Sequence, residues 1–216
     1  MRNNIIKEVL DKQLIAIVRG VKIEQIIPLT EALYDGGIRL VEVPFDMKKE
    51  VSDDETYEMI RMLANHFQSR MYVGAGTVLE TKQVELTQKA GGKFIISPDT
   101  NQEVIQKTVE LGLISMPGAL TPTEITTALR YGADFIKVFP AGNLGPSYIK
   151  ALTAPLSNVK ILAVGGISEN NIKEYLNVGV CGFGIGSNVV DKKLLEKNDF
   201  KGITDLTKKF VESLGD

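Results

Sequence analysis

The 216 residues predict an α/β protein built as a single-domain (β/α)8 TIM barrel, and three observations carry that expectation. Eight short β-branched runs recur along the chain, segments of helical period lie between them, and glycine-rich turn chemistry marks the boundaries. Strict strand-then-helix alternation argues for a parallel sheet with right-handed crossovers. A barrel of this kind ordinarily takes about 200 to 250 residues, so one domain over residues 1–216 uses the whole length. An open doubly wound sheet is the alternative, but the Gly-x-Gly-x-x-Gly fingerprint expected after its first strand is missing.

An amphipathic helix over residues 1–12, with Ile5, Ile6, Val9 and Leu10 as its apolar positions, leads the barrel. The first strand is expected at 14–18, followed by a helix at 23–34 that Gly36-Gly37 closes. A strand at 40–43 feeds a helix at 53–67, and a strand at 71–73 feeds a helix at 82–90 that stops at Gly91-Gly92. The next units pair 94–96 with 103–111 and 113–116 with 123–131, ending at Gly112 and Gly132. Glycine fits each of these ends because a left-handed helix cap carries no steric cost there. Thr121-Pro122-Thr123-Glu124 reads as an N-cap, a proline at the first helical position and a capping-box glutamate. The last strands fall at 135–138, 161–164 and 182–185, with helices at 148–152, 171–176 and 200–214.

The 25 Lys and Arg against 27 Asp and Glu give a net charge of −2, and no basic stripe is interleaved with aromatics, so nucleic acid is not expected as a partner. No apolar run reaches the ~20 residues that span a bilayer. Cys181 is the single cysteine and no signal-like stretch follows Met1, which together suggest a reducing cytoplasm.

In such a barrel the active site is built at the C-terminal ends of the strands, where Arg19, Glu42, Thr77, Ser97 and Lys137 fall. Lys137 interrupts the apolar run 135–139, and Glu42 lies between Val41 and Val43. If their neighbours face the helices, both point to the barrel axis. Burial disfavours an ammonium, so a lysine there can become a nucleophilic amine that forms a Schiff base with a ketone or aldehyde. Glu42 would share its pocket as acid and base. The alternatives are a buried Lys–Glu pair of purely structural role and a lysine snorkelling from a strand end.

Gly165-Gly166 and Gly186-Ser187 follow the seventh and eighth strands, where barrels frequently hold a phosphate on main-chain N–H groups. Tight turns are the competing explanation for either glycine pair alone. His66, the only histidine, lies near the end of a polar helix and reads as solvated, and Cys181 reads as a small buried hydrophobe. No metal site is expected from one histidine and one cysteine, although a carboxylate-held magnesium stays open.

Seven short motifs, in order along nearly the whole chain, resemble the class I aldolases that cleave 2-keto-3-deoxy-6-phosphogluconate (KDPG) and 4-hydroxy-2-oxoglutarate (KHG). They are Ile17-Val18-Arg19, Gly37-Ile38-Arg39-Leu40-Val41-Glu42-Val43, Gly74-Ala75-Gly76-Thr77-Val78-Leu79, Phe94-Ile95-Ile96-Ser97-Pro98, Pro117-Gly118 with Thr121-Pro122-Thr123-Glu124, Ile136-Lys137-Val138-Phe139-Pro140-Ala141, and Gly165-Gly166-Ile167-Ser168. The resemblance implies a Schiff-base lysine at Lys137, an acid/base glutamate at Glu42 and a homotrimer, with no cofactor. Arg19, Thr77, Ser97, Pro98 and Pro117 are then the expected substrate-binding residues, and Gly165, Gly166, Gly186 and Ser187 the phosphate-binding ones.

Two positions depart from the gluconate-type pattern. Asp46 stands where an arginine helps to hold the pyruvate carboxylate, and Val164 stands where a threonine precedes the glycine pair. Together with residues 144–150, they look more like the phosphogalactonate aldolases of the same family. The expected substrate is a small 2-keto sugar-acid phosphate. A sugar-phosphate epimerase or isomerase, and a non-catalytic phosphate-binding barrel, are the alternatives of other kinds.

Overall fold

Alternation along each strand sorts the side chains into two layers, one facing the barrel axis and one facing the helices. In the computed structural model, which describes residues 2–215, this alternation closes a (β/α)8 barrel. Met1 and Asp216, the ends of the expected domain, lie outside the described residues. The strands are β1 (Leu14–Ile17), β2 (Leu40–Pro44), β3 (Tyr72–Gly76), β4 (Phe94–Ile96), β5 (Ile114–Met116), β6 (Ile136–Val138), β7 (Ile161–Val164) and β8 (Val180–Ile185). The helices are α1 (Arg2–Lys12), α2 (Ile26–Asp35), α3 (Asp53–Phe67), α4 (Thr81–Lys89), α5 (Gln102–Glu110), α6 (Pro122–Arg130), α7 (Ala141–Thr153), α8 (Ile172–Leu176), α9 (Lys192–Glu196) and α10 (Phe200–Gly215).

The strands hydrogen-bond in parallel in the order β5-β4-β3-β2-β1-β8-β7-β6. The seam between β5 and β6 is closed by the main chain of Lys137, whose N–H donates to Pro117 O at 2.8 Å while its carbonyl accepts from Ala119 N at 3.0 Å. On its other side Lys137 pairs in register with Leu162 of β7. Its backbone is therefore fixed from both flanks.

Val41, Val43, Ala75, Ile95, Ile161 and Phe183 face outward and form the main core with the helices. Ile15, Leu40, Phe94, Ile114, Phe135 and Leu162 fill the barrel interior, where Ile5 and Val9 of α1 join them. The leading helix thus plugs the end opposite the expected site. Arg2 anchors it, donating to both carboxylate oxygens of Asp134 at 2.7 and 2.9 Å and to the carbonyl of Leu113.

Gly37, Gly91, Gly112 and Gly132 all take positive φ at the ends of their helices, as expected, while Gly36 stays right-handed. The capping box at Thr121 and Glu124 is formed, with Pro122 opening α6. Most boundaries shift by a residue or two, and three larger differences from the expected elements stand out. β3 runs to Gly76, because small residues are demanded there: a Cβ on Gly74 would lie 2.3 Å from the Phe94 ring. α7 begins at Ala141 rather than 148, since Gly145 (φ 78°, ψ 164°) and Pro146 interrupt its hydrogen-bond ladder, hiding its first turn from any periodicity. The short helix α9, capped by Asp191, was not expected at all.

Candidate active site

Glu42 and Lys137 both reach the barrel axis from the apolar strands that carry them. Glu42 is 2% exposed and Lys137 8%. Burial raises the Glu42 carboxyl above its ordinary value, against the opposing pull of the Lys137 and Arg19 charges. Burial likewise lowers Lys137, with the Glu42 charge opposing and the Arg19 charge reinforcing. Each group is therefore pushed toward its neutral form in a site of low polarity. Glu42 Oε2 is buried and has no hydrogen-bond partner among the described residues. An unpartnered buried carboxylate oxygen is costly in a structural counter-ion, whereas a site that accepts a substrate proton requires one.

Glycine makes room for this carboxylate. On β3, paired with β2 in register, a Cβ at Gly76 would fall 2.6 Å from Glu42 Cδ. Thr77 follows in the left-handed region (φ 54°), a conformation that costs a β-branched residue about 1–3 kcal/mol. Its hydroxyl accepts from Arg19 Nη2 at 2.7 Å, which ties the ends of β1 and β3 together beside the Glu42 and Lys137 charges.

Ser97 is buried at the end of β4 and donates its N–H to Met116 O at 3.3 Å, Pro98 is exposed on the following loop, and Pro117 is buried at the seam beside Lys137. All three share the end of the barrel that carries Lys137. Next to them a pocket of about 540 Å³ opens over β7, β8 and β1. Arg19, Gly165, Gly186 and Ser187 line it, with Ile17, Phe139, Val164, Asn188 and Lys192. Phe139 is the connection to the lysine, because its ring is both a wall of the pocket and 5.4 Å from Lys137 Nζ.

Gly166 is the expected phosphate residue that does not line this pocket. Its φ is 75°, and a Cβ there would lie only 2.9 Å from Gly142 Cα, so a turn packed on α7 requires glycine at this position. Gly142 N also donates to Gly165 O at 2.8 Å. Asp46 is occupied too: its carboxylate accepts from the N–H groups of Lys48, Glu50 and Val51 at 3.0, 2.9 and 3.2 Å, which holds it below the usual carboxylate range and shapes the loop after β2.

Phe139 and Lys192 escaped the sequence reading. Phe139 stands in a quoted motif, and its signal was a large aromatic immediately beyond a strand end, where it is 49% exposed. Lys192 had no signal because α9 is too short for periodicity. His66 interacts with Glu31 and meets the Phe67 ring edge-on, remote from this end of the barrel in sequence and in its contacts. Cys181 is half-buried where a buried residue was expected; it donates to Ile161 O at 3.2 Å, and burial pushes its thiol up to about 11, as suits an unreactive residue. Among the described residues no group of three or more His, Cys, Asp or Glu is placed to share a metal ion.

Comparison with known proteins gives the same outline. The family model for KDPG and KHG aldolase matches residues 5–206. A probable 2-dehydro-3-deoxy-6-phosphogalactonate aldolase of Rhizobium meliloti is 37% identical over 181 residues, 83% of this chain and 82% of the relative. A 2-dehydro-3-deoxy-phosphogluconate aldolase of Treponema pallidum is 34% identical over 207 residues, 94% of each. A KDPG aldolase of Legionella pneumophila, solved with pyruvate captured as a covalent carbinolamine intermediate, superposes with a TM-score of 0.85 at 28% identity, covering 95% of this chain and 97% of that one. With a buried lysine and glutamate on the axial face of its strands and a family match over most of its length, the chain belongs to the KDPG and KHG aldolase family.

Proposed function

We propose that the protein is a class I aldolase that cleaves a phosphorylated 2-keto-3-deoxy sugar acid, of the KDPG type, into pyruvate and glyceraldehyde 3-phosphate. The observation that carries this reading is the pairing of Lys137 with Glu42, each driven toward neutrality by burial, with one Glu42 oxygen free to receive a proton. Neutral Lys137 attacks the C2 ketone to give a carbinolamine. Glu42 in its protonated form delivers a proton to the departing hydroxyl, so water leaves, the protonated imine forms and Glu42 becomes the carboxylate. That carboxylate takes the proton of the C4 hydroxyl, the C3–C4 electron pair flows to the imine, and the aldehyde departs from an enamine. The proton then returns to C3 and water releases pyruvate, restoring both groups.

Arg19 and Thr77 orient the polar end of the substrate beside Lys137, with Ser97, Pro98 and Pro117 bounding the pyruvate end. Gly165, Gly186 and Ser187 bind the phosphate, the narrow main chain allowing close approach. No cofactor enters these steps. A homotrimer working in the cytoplasm, on a carbohydrate breakdown product, completes the reading; family resemblance and the single cysteine support it.

Two observations favour the 6-phosphogalactonate configuration as a second reading. Val164 places an apolar side chain on the pocket wall, at the position where the gluconate-type pattern has threonine, and the 37% and 35% identical relatives are phosphogalactonate aldolases. Pyruvate release from each stereoisomer, coupled to lactate dehydrogenase, decides the matter. Turnover of neither stereoisomer, nor of 4-hydroxy-2-oxoglutarate, would overturn the reading.

A further inference from the structure

The pocket beside Lys137 contains two cations, Arg19 and Lys192, and among the described residues no carboxylate lines it. Arg19 is already engaged, donating to Thr77, and it sits close enough to Lys137 and Glu42 to perturb both. Lys192 is differently placed. It opens α9 directly after the loop that carries Ser187 and Asn188, and it is the lining cation on the β8 side, the side away from Thr77.

Its one ion pair among the described residues is a loose one with Glu196, at 3.9 Å, and its side chain is 88% exposed. Such an i,i+4 surface pair is weak and gives way readily to a dianion. Asp191, its chain neighbour, is turned into the helix, its side chain accepting from Leu194 N at 2.9 Å, while Glu24 and Glu196 line an adjoining pocket with Lys192 and make no ion pair with it closer than that 3.9 Å. The ammonium is thus a charge on a flexible stem at the rim of a pocket whose wall, Ser187 and Gly186, is the proposed phosphate wall.

We infer that Lys192 is a specificity-determining residue of this site, a mobile cation that closes over the phosphate of the substrate and sets the preference for phosphorylated over unphosphorylated aldehydes. The inference rests on the aldolase reading above and adds a residue outside the expected phosphate set. A lysine acts here as a point charge, so it favours a dianion without fixing its orientation, and the glycine and serine wall supplies the direction. Its contribution is that of a largely exposed pair, and it weakens as salt screens it.

The test runs the reaction in the direction of synthesis, with pyruvate and either glyceraldehyde 3-phosphate or glyceraldehyde, two acceptors that differ only by the phosphate. Lys192→Ala should raise KM for glyceraldehyde 3-phosphate about three- to fivefold, the upper scale of one exposed charge pair, and leave glyceraldehyde within about 1.5-fold. Lys192→Glu should lose more, Lys192→Arg should recover most of the affinity, and the rise of KM with ionic strength should flatten in Lys192→Ala. Borohydride trapping of pyruvate, which has no phosphate, should be unchanged in all three variants. Loss of trapping in the wild-type protein would defeat the aldolase reading itself. With trapping intact, equal effects on the two aldehydes, no effect on either, or a wild-type enzyme indifferent to the phosphate would each overturn the role of Lys192.

Discussion

Replacing Gly76 with alanine tests whether the position of the Glu42 carboxylate, rather than its mere presence, carries the chemistry. The new Cβ would lie 2.6 Å from Glu42 Cδ and Oε1 and 2.7 Å from Oε2, whereas ordinary contact begins at 3.4 Å. The carboxylate must therefore retreat by roughly 0.8 Å, and misplacing a reacting group by about 1 Å costs about 10²-fold in rate. A 10- to 100-fold fall in kcat is expected, read as pyruvate released in a coupled assay, with the chain still folded because a buried side-chain end can shift more readily than a backbone. Gly74→Ala is the control, since Gly74 is the register partner of Glu42 yet the atoms its Cβ would crowd most are those of the Phe94 ring, the nearest at 2.3 Å. It should cost about 1–3 kcal/mol of stability through overpacking while the folded fraction keeps its kcat. If folded Gly76→Ala turns over within about twofold of the wild type, the carboxylate does not act from where it sits, and the proposed proton path is wrong.

Glu42→Gln keeps the shape of the side chain and removes the proton acceptor, so kcat should fall about 10²–10⁴-fold while equilibrium unfolding stays cooperative; near-normal turnover would reduce Glu42 to a structural counter-ion. Lys137 holds its proton less tightly in the folded protein than the ordinary 10.5, so unfolding takes up a proton and stability from this group rises with pH between the lowered native value and 10.5. The difference in unfolding free energy between wild type and Lys137→Met should therefore vary with pH across that window, and a flat difference would mean that burial does not perturb the lysine. Asp46→Ala removes the acceptor for three main-chain N–H groups; faster amide exchange across residues 47–51 is expected, and protection equal to the wild type would contradict the loop-shaping role.

The sequence made the barrel legible because its signals were local and repeated. β-branched runs located all eight strands, and glycines at 37, 91, 112 and 132 marked helix ends that the structure shows in the left-handed conformation. Lys137 and Glu42 stood out for the same reason, a charge in an apolar strand being unlike its neighbours. What stayed hidden depended on contacts between distant segments. The extent of β3 follows from the crowding of Gly74 by Phe94 and of Gly76 by Glu42, which no window of residues 71–76 contains. The packing of Gly166 on Gly142 was equally hidden, because a glycine needed for packing and one needed for close ligand approach are identical in sequence. The pocket walls at Phe139 and Lys192 likewise emerge only when β6, β8 and α9 are brought together.

The central claim is that Lys137 forms the covalent bond to substrate, and its most direct test is reductive trapping. Incubation with pyruvate and borohydride should inactivate the protein irreversibly, and peptide mapping by mass spectrometry should place one reduced pyruvyl group on Lys137, with none on the exposed lysines. An adduct mapped to another lysine, or full activity after treatment, would contradict the account.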